Sequence, residues 1–368
     1  MSAIRALLVD DEEPARCRLR ALLDEFPDIE VVGEAADGEE ALLRIREHVP
    51  QLVFIDIQMP GRTGLEVAAA LEPPRPSVIF CTAYDKYAVD AFEHHAVDYL
   101  LKPLNRKRLA VAVERVRETV GRRRRLDAEL QDASATQARL LPQGVPRLDT
   151  LDFAGRCRPA REIGGDYYDF LALGSGKLGL AVGDVSGKGL FAGLLVAKLQ
   201  ATVQSIAPRT GRCLGDLVGE VNRLMAVNLA SNRYATFFYG EYDDRSRELS
   251  YVNAGHPPAL LVRAGNPDRI ETLPANGTVV GLLRDATYRP DSVTLRPGDL
   301  LAVYSDGVTE AADAAGEEFG EERLIGALRQ YREGPAAVAL EHVLAAVDGF
   351  RGDVPPADDL TLVLGRVR

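Results

Sequence analysis

Cysteine is scarce in this chain of 368 residues. The four that are present lie far apart, at Cys17, Cys81, Cys157 and Cys213. This spacing fits neither a disulfide framework nor a zinc site, in which ligands usually come in pairs a few residues apart. We therefore expect buried thiols in a reducing compartment.

Long apolar runs are also missing. A membrane-spanning helix needs about 20 mainly apolar residues, and no stretch of this sequence reaches that length. The first apolar run ends at Asp10 and is too short for a signal peptide. The sequence predicts a cytoplasmic protein without a membrane partner.

Positive charge is in deficit. The formal net charge is -11 and the isoelectric point is near 5.1, which argues against nucleic acid as the main partner. One basic run stands out, four arginines at 122–125, and acidic residues follow it at Asp127, Glu129 and Asp132. The mixed signs are typical of a solvated helix face, with a nucleic-acid or membrane patch as the alternative.

The first 120 residues alternate short apolar strand patterns with helical ones. The strand patterns lie at 4–9, 29–34, 51–56, 77–82 and 97–103. This alternation predicts an α/β fold with a doubly wound, flavodoxin-like sheet of five parallel strands, whose functional groups gather at the carboxyl ends of the strands. Five polar side chains occupy such ends: Asp10, Asp11, Asp56, Thr82 and Lys102.

Three carboxylates that meet at one sheet edge repel one another unless a cation joins them. A Mg²⁺ ion, together with the Lys102 ammonium, would meet that need. A carboxylate beside such a metal can attack a phosphoryl donor and become an aspartyl phosphate. The alternative is that these are acidic loop residues at helix caps.

Residues 1–120 resemble the receiver domain of a response regulator. The stretch 80–104, F-C-T-A-Y-D-K-Y-A-V-D-A-F-E-H-H-A-V-D-Y-L-L-K-P-L, is especially similar to receivers joined to LytTR domains. The resemblance implies a sensor histidine kinase as partner, Asp56 as phosphoacceptor and a cis Lys102–Pro103 bond. It also implies Mg²⁺ binding by Asp10, Asp11 and Asp56, phosphoryl contacts from Thr82 and Lys102, and Tyr99 as the switch aromatic.

Four acidic stretches recur in the rest of the chain, each beside an apolar strand pattern. They are G-G-D at 164–166, G-D-V-S-G-K-G at 183–189, Y-S-D-G at 304–307 and D-D-L-T-L at 358–362. Burying a carboxylate without a partner costs several kcal/mol, and no His or Cys stands at zinc spacing. Oxygen ligands of this kind suit Mg²⁺ or Mn²⁺. When each Asp is considered alone, the alternative is that its side chain caps the following helix instead of binding a metal.

These stretches, with R-P-A-R-E-I-G-G-D-Y-Y-D-F at 158–170 and N-A-G-H-P-P at 253–258, resemble the PPM-type serine/threonine phosphatases of the SpoIIE/RsbU branch. The resemblance implies an α+β fold, an αββα sandwich, with two Mn²⁺ or Mg²⁺ ions. It implies Asp184 as the bridging ligand with help from the Val185 carbonyl, Asp166 on one ion, and Asp306 with Asp358 on the other. Asp359 stands where relatives outside this branch carry Asn, so either Asp358 or Asp359 is the ligand.

A side-chain nucleophile motif of the Cys or Ser type is missing from this half of the chain, which fits chemistry by metal-activated water. Arg161 and Lys188 are candidates for a phosphate contact. His256 lies in a Gly/Pro turn, where a structural role is favoured over that of an acid or base.

Between the two parts the helical pattern continues past residue 120. Leu109, Val113, Val116 and Val120 recur at spacings of three and four, and the same register reaches the polar Arg123 and Asp127 before Leu130 and Leu141. This predicts a marginal coiled coil that joins a homodimer. The expected domains are a receiver at 1–120, a helical linker at 121–141 and a phosphatase at 142–368.

Together these patterns predict a two-component response regulator whose output is a metal-dependent protein phosphatase. Relatives of this branch act on phosphoserine or phosphothreonine of anti-sigma-factor antagonists, which are STAS-like proteins, so the resemblance implies such a substrate. The alternative is an adaptor in which the phosphatase fold binds a partner without catalysis.

Overall fold

The computed structural model describes residues 3–83, 96–142, 144–208, 212–227, 233–266, 269–331 and 333–368. The chain forms two compact units, Met1–Glu129 and Leu130–Arg368. Among the described helices, none combines the length and the apolar character needed to cross a bilayer.

The first unit is built on one parallel sheet in the order β2-β1-β3-β4-β5. Its strands are β1 (Ile4–Val9), β2 (Ile29–Ala35), β3 (Leu52–Ile55), β4 (Ser77–Thr82) and β5 (Asp98–Leu101). The helices are α1 (Glu13–Leu23), α2 (Gly38–His48), α3 (Gly64–Ala69) and α4 (Arg106–Ala138). The predicted five-stranded parallel sheet is confirmed, and the helix expected between β4 and β5 falls on residues 84–95, outside the described part.

Local sequence explains these elements. The central strand β3 is buried along its whole length because apolar layers cover both faces of the sheet. Asp37 caps α2 by accepting from the backbone N–H groups of Glu39 and Glu40, and Thr63 with Glu66 forms a capping box at the start of α3. Because the five strands run parallel, their carboxyl ends lie at the same edge of the sheet.

The long helix α4 corrects one prediction. Leu109, Val113, Val116 and Val120, expected in a seam between two chains, are buried in the first unit's own core. Further along, the Arg123 guanidinium donates to the backbone carbonyl of Arg75 at 3.1 Å. The expected coiled-coil seam is therefore wrong from Leu109 to Val120, because this apolar stripe covers the first unit's own sheet.

The second unit contains two antiparallel sheets, ordered β13-β10-β9-β8-β7 and β12-β11-β14-β15-β6. The strands are β6 (Leu151–Arg158), β7 (Asp166–Gly174), β8 (Lys177–Val185), β9 (Ala235–Asp243), β10 (Glu248–Ala254), β11 (Ala259–Val262), β12 (Ile270–Leu273), β13 (Asp291–Thr294), β14 (Leu300–Tyr304) and β15 (Leu360–Val367). β12 is a four-residue edge strand that is mostly half-exposed.

Helices cover the outer face of each sheet. They are α5 (Leu190–Ile206) and α6 (Leu214–Ala226) on the first sheet, and α7 (Asp306–Thr309), α8 (Gly320–Gln330) and α9 (Ala336–Arg351) at the second. One apolar layer fills the space between the sheets and two more lie under the helices. The predicted αββα sandwich is confirmed.

Strand register brings the acidic stretches together. Asp166 at the start of β7 lies directly opposite Asp184 near the end of β8. In the other sheet, Tyr304 at the end of β14 pairs with Leu362 near the start of β15. The residues that follow β14 and precede β15 are therefore neighbours at one end of the sandwich.

Candidate functional site

The first unit holds an acidic cluster at the carboxyl edge of its sheet. Asp10 follows β1 and Asp56 follows β3, which are adjacent strands, and both side chains are buried while Asp11 is exposed. One carboxylate oxygen from each of Asp10, Asp11 and Asp56 lies within 4.8 Å of the others. The predicted set is brought together in a geometry that a single cation can bridge.

Lys102 joins this cluster from the loop after β5. Its Nζ lies 2.6 Å from Oδ2 of Asp56 and 2.7 Å from Oδ2 of Asp10. Burial alone would lower the pKa of Lys102, but its hydrogen bonds to Asp10 and Asp56 raise that pKa above its ordinary value. For Asp10, burial has the opposite effect and raises the pKa, and the hydrogen bond from Lys102 only partly offsets this rise. One ammonium against three carboxylates leaves net negative charge, so the donor set fits a divalent ion.

Thr82 closes the same edge at the end of β4. The residue is fully buried, and its hydroxyl has no hydrogen-bond partner in the described part of the chain. A buried polar group without a partner costs about 1–3 kcal/mol, so this hydroxyl suits an incoming polar ligand. Tyr99 on β5 is half-buried, and the Lys102–Pro103 peptide bond is cis, as expected.

Asp166 and Asp184 form the inner part of the second cluster. The Asp166 side chain is buried and accepts a hydrogen bond of 2.7 Å from the Ser305 hydroxyl. Burial and the nearby Asp184 raise the pKa of Asp166 well above its usual range. Burial, together with Asp306 and Asp358, raises the pKa of Asp184 to about 7. These carboxylates oppose one another's ionisation, and a divalent cation among them would relieve that repulsion.

Asp306 and Asp358 complete the cluster from the second sheet. Burial, followed by the charge of Asp358, raises the pKa of Asp306. Lys188, from the glycine-rich turn after β8, lies 2.9 Å from Oδ2 of Asp358 and donates to the carbonyl of Ala357 at 2.8 Å. Lys188 is the ammonium that acts on Asp184, Asp306 and Asp358, and oxygen donors with that excess negative charge fit divalent metals. Among the described residues, the 4.8 Å spacing of Asp10, Asp11 and Asp56 is not reached by three carboxylates of this second cluster.

Asp359 has a different role from its neighbour. Its carboxylate accepts hydrogen bonds from two backbone N–H groups, those of Ala160 at 2.7 Å and Gly165. It therefore fastens the loop 159–165 to the start of β15. Gly165 packs closely in this loop, since a Cβ there would lie 2.9 Å from the Val185 carbonyl oxygen.

His256 is buried beneath the cluster. Its Nδ1 lies 2.8 Å from the hydroxyl of Thr236, which pairs with Asp184 across β8 and β9. Burial lowers the pKa of His256 to about 3. The ring is therefore neutral at physiological pH, in keeping with a structural role. Arg161, the other candidate for a phosphate contact, is exposed.

Sequence reasoning missed Ser305 and Gln137. Ser305 stands inside the Y-S-D-G stretch, but its bond to Asp166 joins residues far apart in the chain, so no local pattern signals it. Gln137 lies in the register of the linker helix and begins the stretch Q-A-R-L-L-P at 137–142, which resembles the segment before the phosphatase core in relatives. Neither signal predicts its bonds to Gly164.

Family models match both units. Residues 6–114 match the response regulator receiver domain. Residues 174–368 match the Stage II sporulation protein E (SpoIIE) family, which is just over half of the chain.

Among curated proteins, the transcriptional regulatory protein BtsR of Salmonella typhi is 42% identical over 156 residues, which cover 42% of this chain and 60% of that protein. The Escherichia coli K12 protein of the same name is 41% identical over 156 residues, with the same shares. The chain thus spans less than two thirds of the length of these relatives.

Solved phosphatase structures resemble the second unit. The SiaA-PP2C domain of Pseudomonas aeruginosa matches with a TM-score of 0.58 and 22% identity over 66% of this chain and 98% of that one. The RsbU and RsbW domains of a Mycobacterium tuberculosis protein match with a TM-score of 0.52 and 26% identity over 62% and 63%.

The phosphatase domain of SpoIIE from Bacillus subtilis matches with a TM-score of 0.51 and 19% identity, over 59% of this chain and 61% of that one. The fold of these neighbours agrees with the αββα sandwich, and a phosphatase domain of this type implies the use of divalent metal.

With a receiver domain at its amino-terminal end and a PPM-type phosphatase domain after it, the chain belongs to the Stage II sporulation protein E (SpoIIE) family.

Proposed function

We propose that this chain is a two-component response regulator whose output is the dephosphorylation of phosphoserine or phosphothreonine on a partner protein. The observation that carries this proposal is the cluster of Asp166, Asp184, Asp306 and Asp358 at one end of a phosphatase fold. A protein that only bound a partner would gain nothing from four mutually repelling carboxylates.

Two divalent ions, Mn²⁺ or Mg²⁺, would be held by Asp184 between them, by Asp166, and by Asp306 with Asp358, assisted by the Val185 carbonyl. The chemistry that such ions supply is the activation of water for attack on a phosphate ester. Asp358 is favoured over Asp359 as a ligand because both oxygens of Asp359 already accept backbone hydrogen bonds.

The chain's own residues prepare this site. Ser305 holds the Asp166 carboxylate in one orientation through its 2.7 Å hydrogen bond. Lys188 holds Asp358 and, because about half of its side chain is exposed, has room to contact a substrate phosphate as well. The neutral His256 supports the strand opposite Asp184 through Thr236.

In the receiver, Asp56 is the proposed phosphoacceptor and a sensor histidine kinase the phosphodonor. Asp10 and Asp11 with Asp56 would hold Mg²⁺. The unpaired Thr82 hydroxyl and the Lys102 ammonium are placed to contact the phosphoryl oxygens and reduce their charge. Tyr99 is the proposed switch aromatic.

The substrate and assembly are inferred from the family. We propose a phosphorylated, STAS-like anti-sigma-factor antagonist as the substrate, a cytoplasmic location and a homodimer through the linker. The proposed functional division is 1–120 for the receiver, 121–141 for the linker and 142–368 for the phosphatase. Signals would pass along α4, which runs without a break from Arg106 to Ala138.

The phosphatase assignment is tested by replacing Asp184 with Asn. Hydrolysis of p-nitrophenyl phosphate in Mn²⁺ is expected to fall by several orders of magnitude, because water activated by the metals is the only proposed nucleophile. The control is Asp216→Asn, which removes an exposed carboxylate from α6 and should leave the rate unchanged. Equal rates in wild type and Asp184→Asn, or a wild-type rate unaffected by EDTA, would reject the metal-dependent phosphatase, and no hydrolysis by wild type in Mn²⁺ would favour the adaptor.

A further inference from the structure

The side-chain amide of Gln137, in the last turn of α4, makes two hydrogen bonds to Gly164, and both residues belong to the second unit. Its Nε2 donates to the carbonyl of Gly164 at 2.7 Å, and its Oε1 accepts from the backbone N–H of Gly164 at 3.0 Å. A carboxamide side chain offers a donor and an acceptor side by side. The pair satisfies both backbone groups of Gly164 at once.

The loop that Gln137 contacts is held from the opposite side as well. Asp359 accepts from the backbone N–H groups of Ala160 and Gly165, and a Cβ on Gly164 would lie only 2.8 Å from Oδ2 of Asp359. Gly164 is thus fitted between the amide of Gln137 and the carboxylate of Asp359. The loop has little freedom while both contacts persist.

Each contact adjoins a candidate metal ligand. Asp166 lies two residues after Gly164, and Asp358 immediately precedes Asp359. A displacement of the loop that breaks the Gln137 contact would therefore move Asp166 relative to Asp184 on the neighbouring strand. Metal sites need their ligands placed to within a few tenths of an ångström, so such a shift acts on metal affinity.

Helix α5 meets the same contact. A Cβ on Gly193 would clash with Cγ2 of Ile163 and would lie 3.4 Å from Nε2 of Gln137. Gly193 therefore allows α5 to pack directly against the loop and the Gln137 amide. The end of α4, the loop 159–165 and the start of α5 come together at this one side chain.

We propose that Gln137 is a positioning residue for the phosphatase metal site: its amide sets the loop that leads into Asp166, and its loss weakens metal binding. This inference rests on the proposed function of that site. It predicts an effect on metal affinity that a residue which only stabilises the fold would not have.

The test compares full-length wild type, Gln137→Ala and Gln131→Ala. Gln131 is an exposed residue of the same type on the same helix, so its substitution is the matched control. Mn²⁺ binding is measured by electron paramagnetic resonance of the free ion, and backbone hydrogen exchange is measured for peptides covering 159–166 in metal-free protein. The receiver site is identical in all three proteins, so any difference in Mn²⁺ binding arises from the phosphatase site in the second unit.

We expect Gln137→Ala to bind Mn²⁺ about tenfold more weakly at the phosphatase site, the scale of losing two hydrogen bonds. Exchange in 159–166 should be faster, while saturating Mn²⁺ should restore much of the phosphatase rate. Gln131→Ala should match wild type in each respect. Wild-type Mn²⁺ affinity together with wild-type exchange in Gln137→Ala would overturn the proposal.

Gln137→Glu is a second variant that keeps the proposal testable if Gln137→Ala does not fold. It keeps the size of the side chain and the acceptor for the Gly164 N–H, but it cannot donate to the Gly164 carbonyl, so it should shift both readouts in the same direction. Wild-type values in this variant would also overturn the proposal. If wild type itself shows no phosphatase activity, the proposed function fails, whereas Mn²⁺ binding and exchange still decide the role of Gln137.

Discussion

At the scale of single residues, Ser305 illustrates how one hydroxyl supports a metal site. Its oxygen donates to Asp166 at 2.7 Å and accepts from the backbone N–H of Thr361 at 2.9 Å. The side chain therefore ties β7 of one sheet to β15 of the other. Both of its partners are buried, so neither can turn to water if the hydroxyl is lost.

Replacing Ser305 with Ala should cost about 1–3 kcal/mol of unfolding free energy, because two buried polar groups lose a partner. Urea unfolding in EDTA measures this loss without a contribution from metal. Ser292→Ala, on the exposed strand β13, is the control and should stay within about 0.5 kcal/mol of wild type. An unchanged midpoint in Ser305→Ala would show that water or another group replaces the hydroxyl.

His256 predicts a dependence of stability on pH. Its pKa is about 3 in the folded chain and about 6.5 when unfolded. Between these values the unfolded chain binds a proton that the folded chain does not, so the free energy of unfolding falls as the pH drops below about 6.5. The loss from this residue approaches about 1.4 kcal/mol per pH unit.

Comparison of wild type with His256→Gln isolates this contribution. From pH 7.5 to pH 5.0, wild type should lose about 2 kcal/mol more than the variant, as measured by urea unfolding in EDTA. The buried carboxylates titrate in both proteins, so their effect cancels in the difference. Parallel pH profiles for the two proteins would show that His256 is protonated in the folded state.

At the scale of elements, α4 shows the limit of periodicity. The spacing of Leu109, Val113, Val116 and Val120 correctly predicts a helix with one apolar face, but the pattern does not say what covers that face. The structure shows that the receiver's own sheet does. A seam between two chains and a face on a core have the same local sequence, and only the tertiary fold distinguishes them.

The part of α4 between its anchored ends should carry the signal. Glu129→Gly with Gln131→Gly would loosen this exposed stretch, since each glycine costs about 1 kcal/mol of helix stability. We expect the phosphatase response to beryllofluoride to shrink while the basal rate persists. The control is the corresponding double alanine variant, which keeps the helix. A full response in the glycine variant would mean that helix rigidity is not required.

Much of the fold followed from the sequence because strand and helix patterns alternate in the first unit and separate in the second. The carboxylates of the candidate sites were also predicted, since an Asp beside an apolar strand pattern is a local signal. Hydrogen bonds between residues that are far apart in the sequence were not predicted. The bonds of Gln137 to Gly164 and of Asp359 to Ala160 join residues distant in sequence, and no spacing reveals them.

At the scale of the whole molecule, the chain joins a receiver to a phosphatase, and we propose that the first controls the second. Each unit has its own acidic cluster, and the two clusters differ in chemistry. The first offers Asp56 beside Lys102 as a site for a phosphoryl group. The second offers several carboxylates, and its sequence carries no nucleophile motif of the Cys or Ser type, as suits hydrolysis by activated water.

The central claim is that phosphorylation at Asp56 changes the phosphatase rate. The most direct measurement is the rate of full-length protein in Mn²⁺, with and without beryllofluoride, for wild type, Asp56→Asn and the exposed control Asp24→Asn. A two-state coupling of a few kcal/mol predicts a rate that changes by at least about tenfold in wild type and Asp24→Asn, and no change in Asp56→Asn. Equal rates in wild type with and without beryllofluoride, or an equal response in Asp56→Asn, would contradict the account.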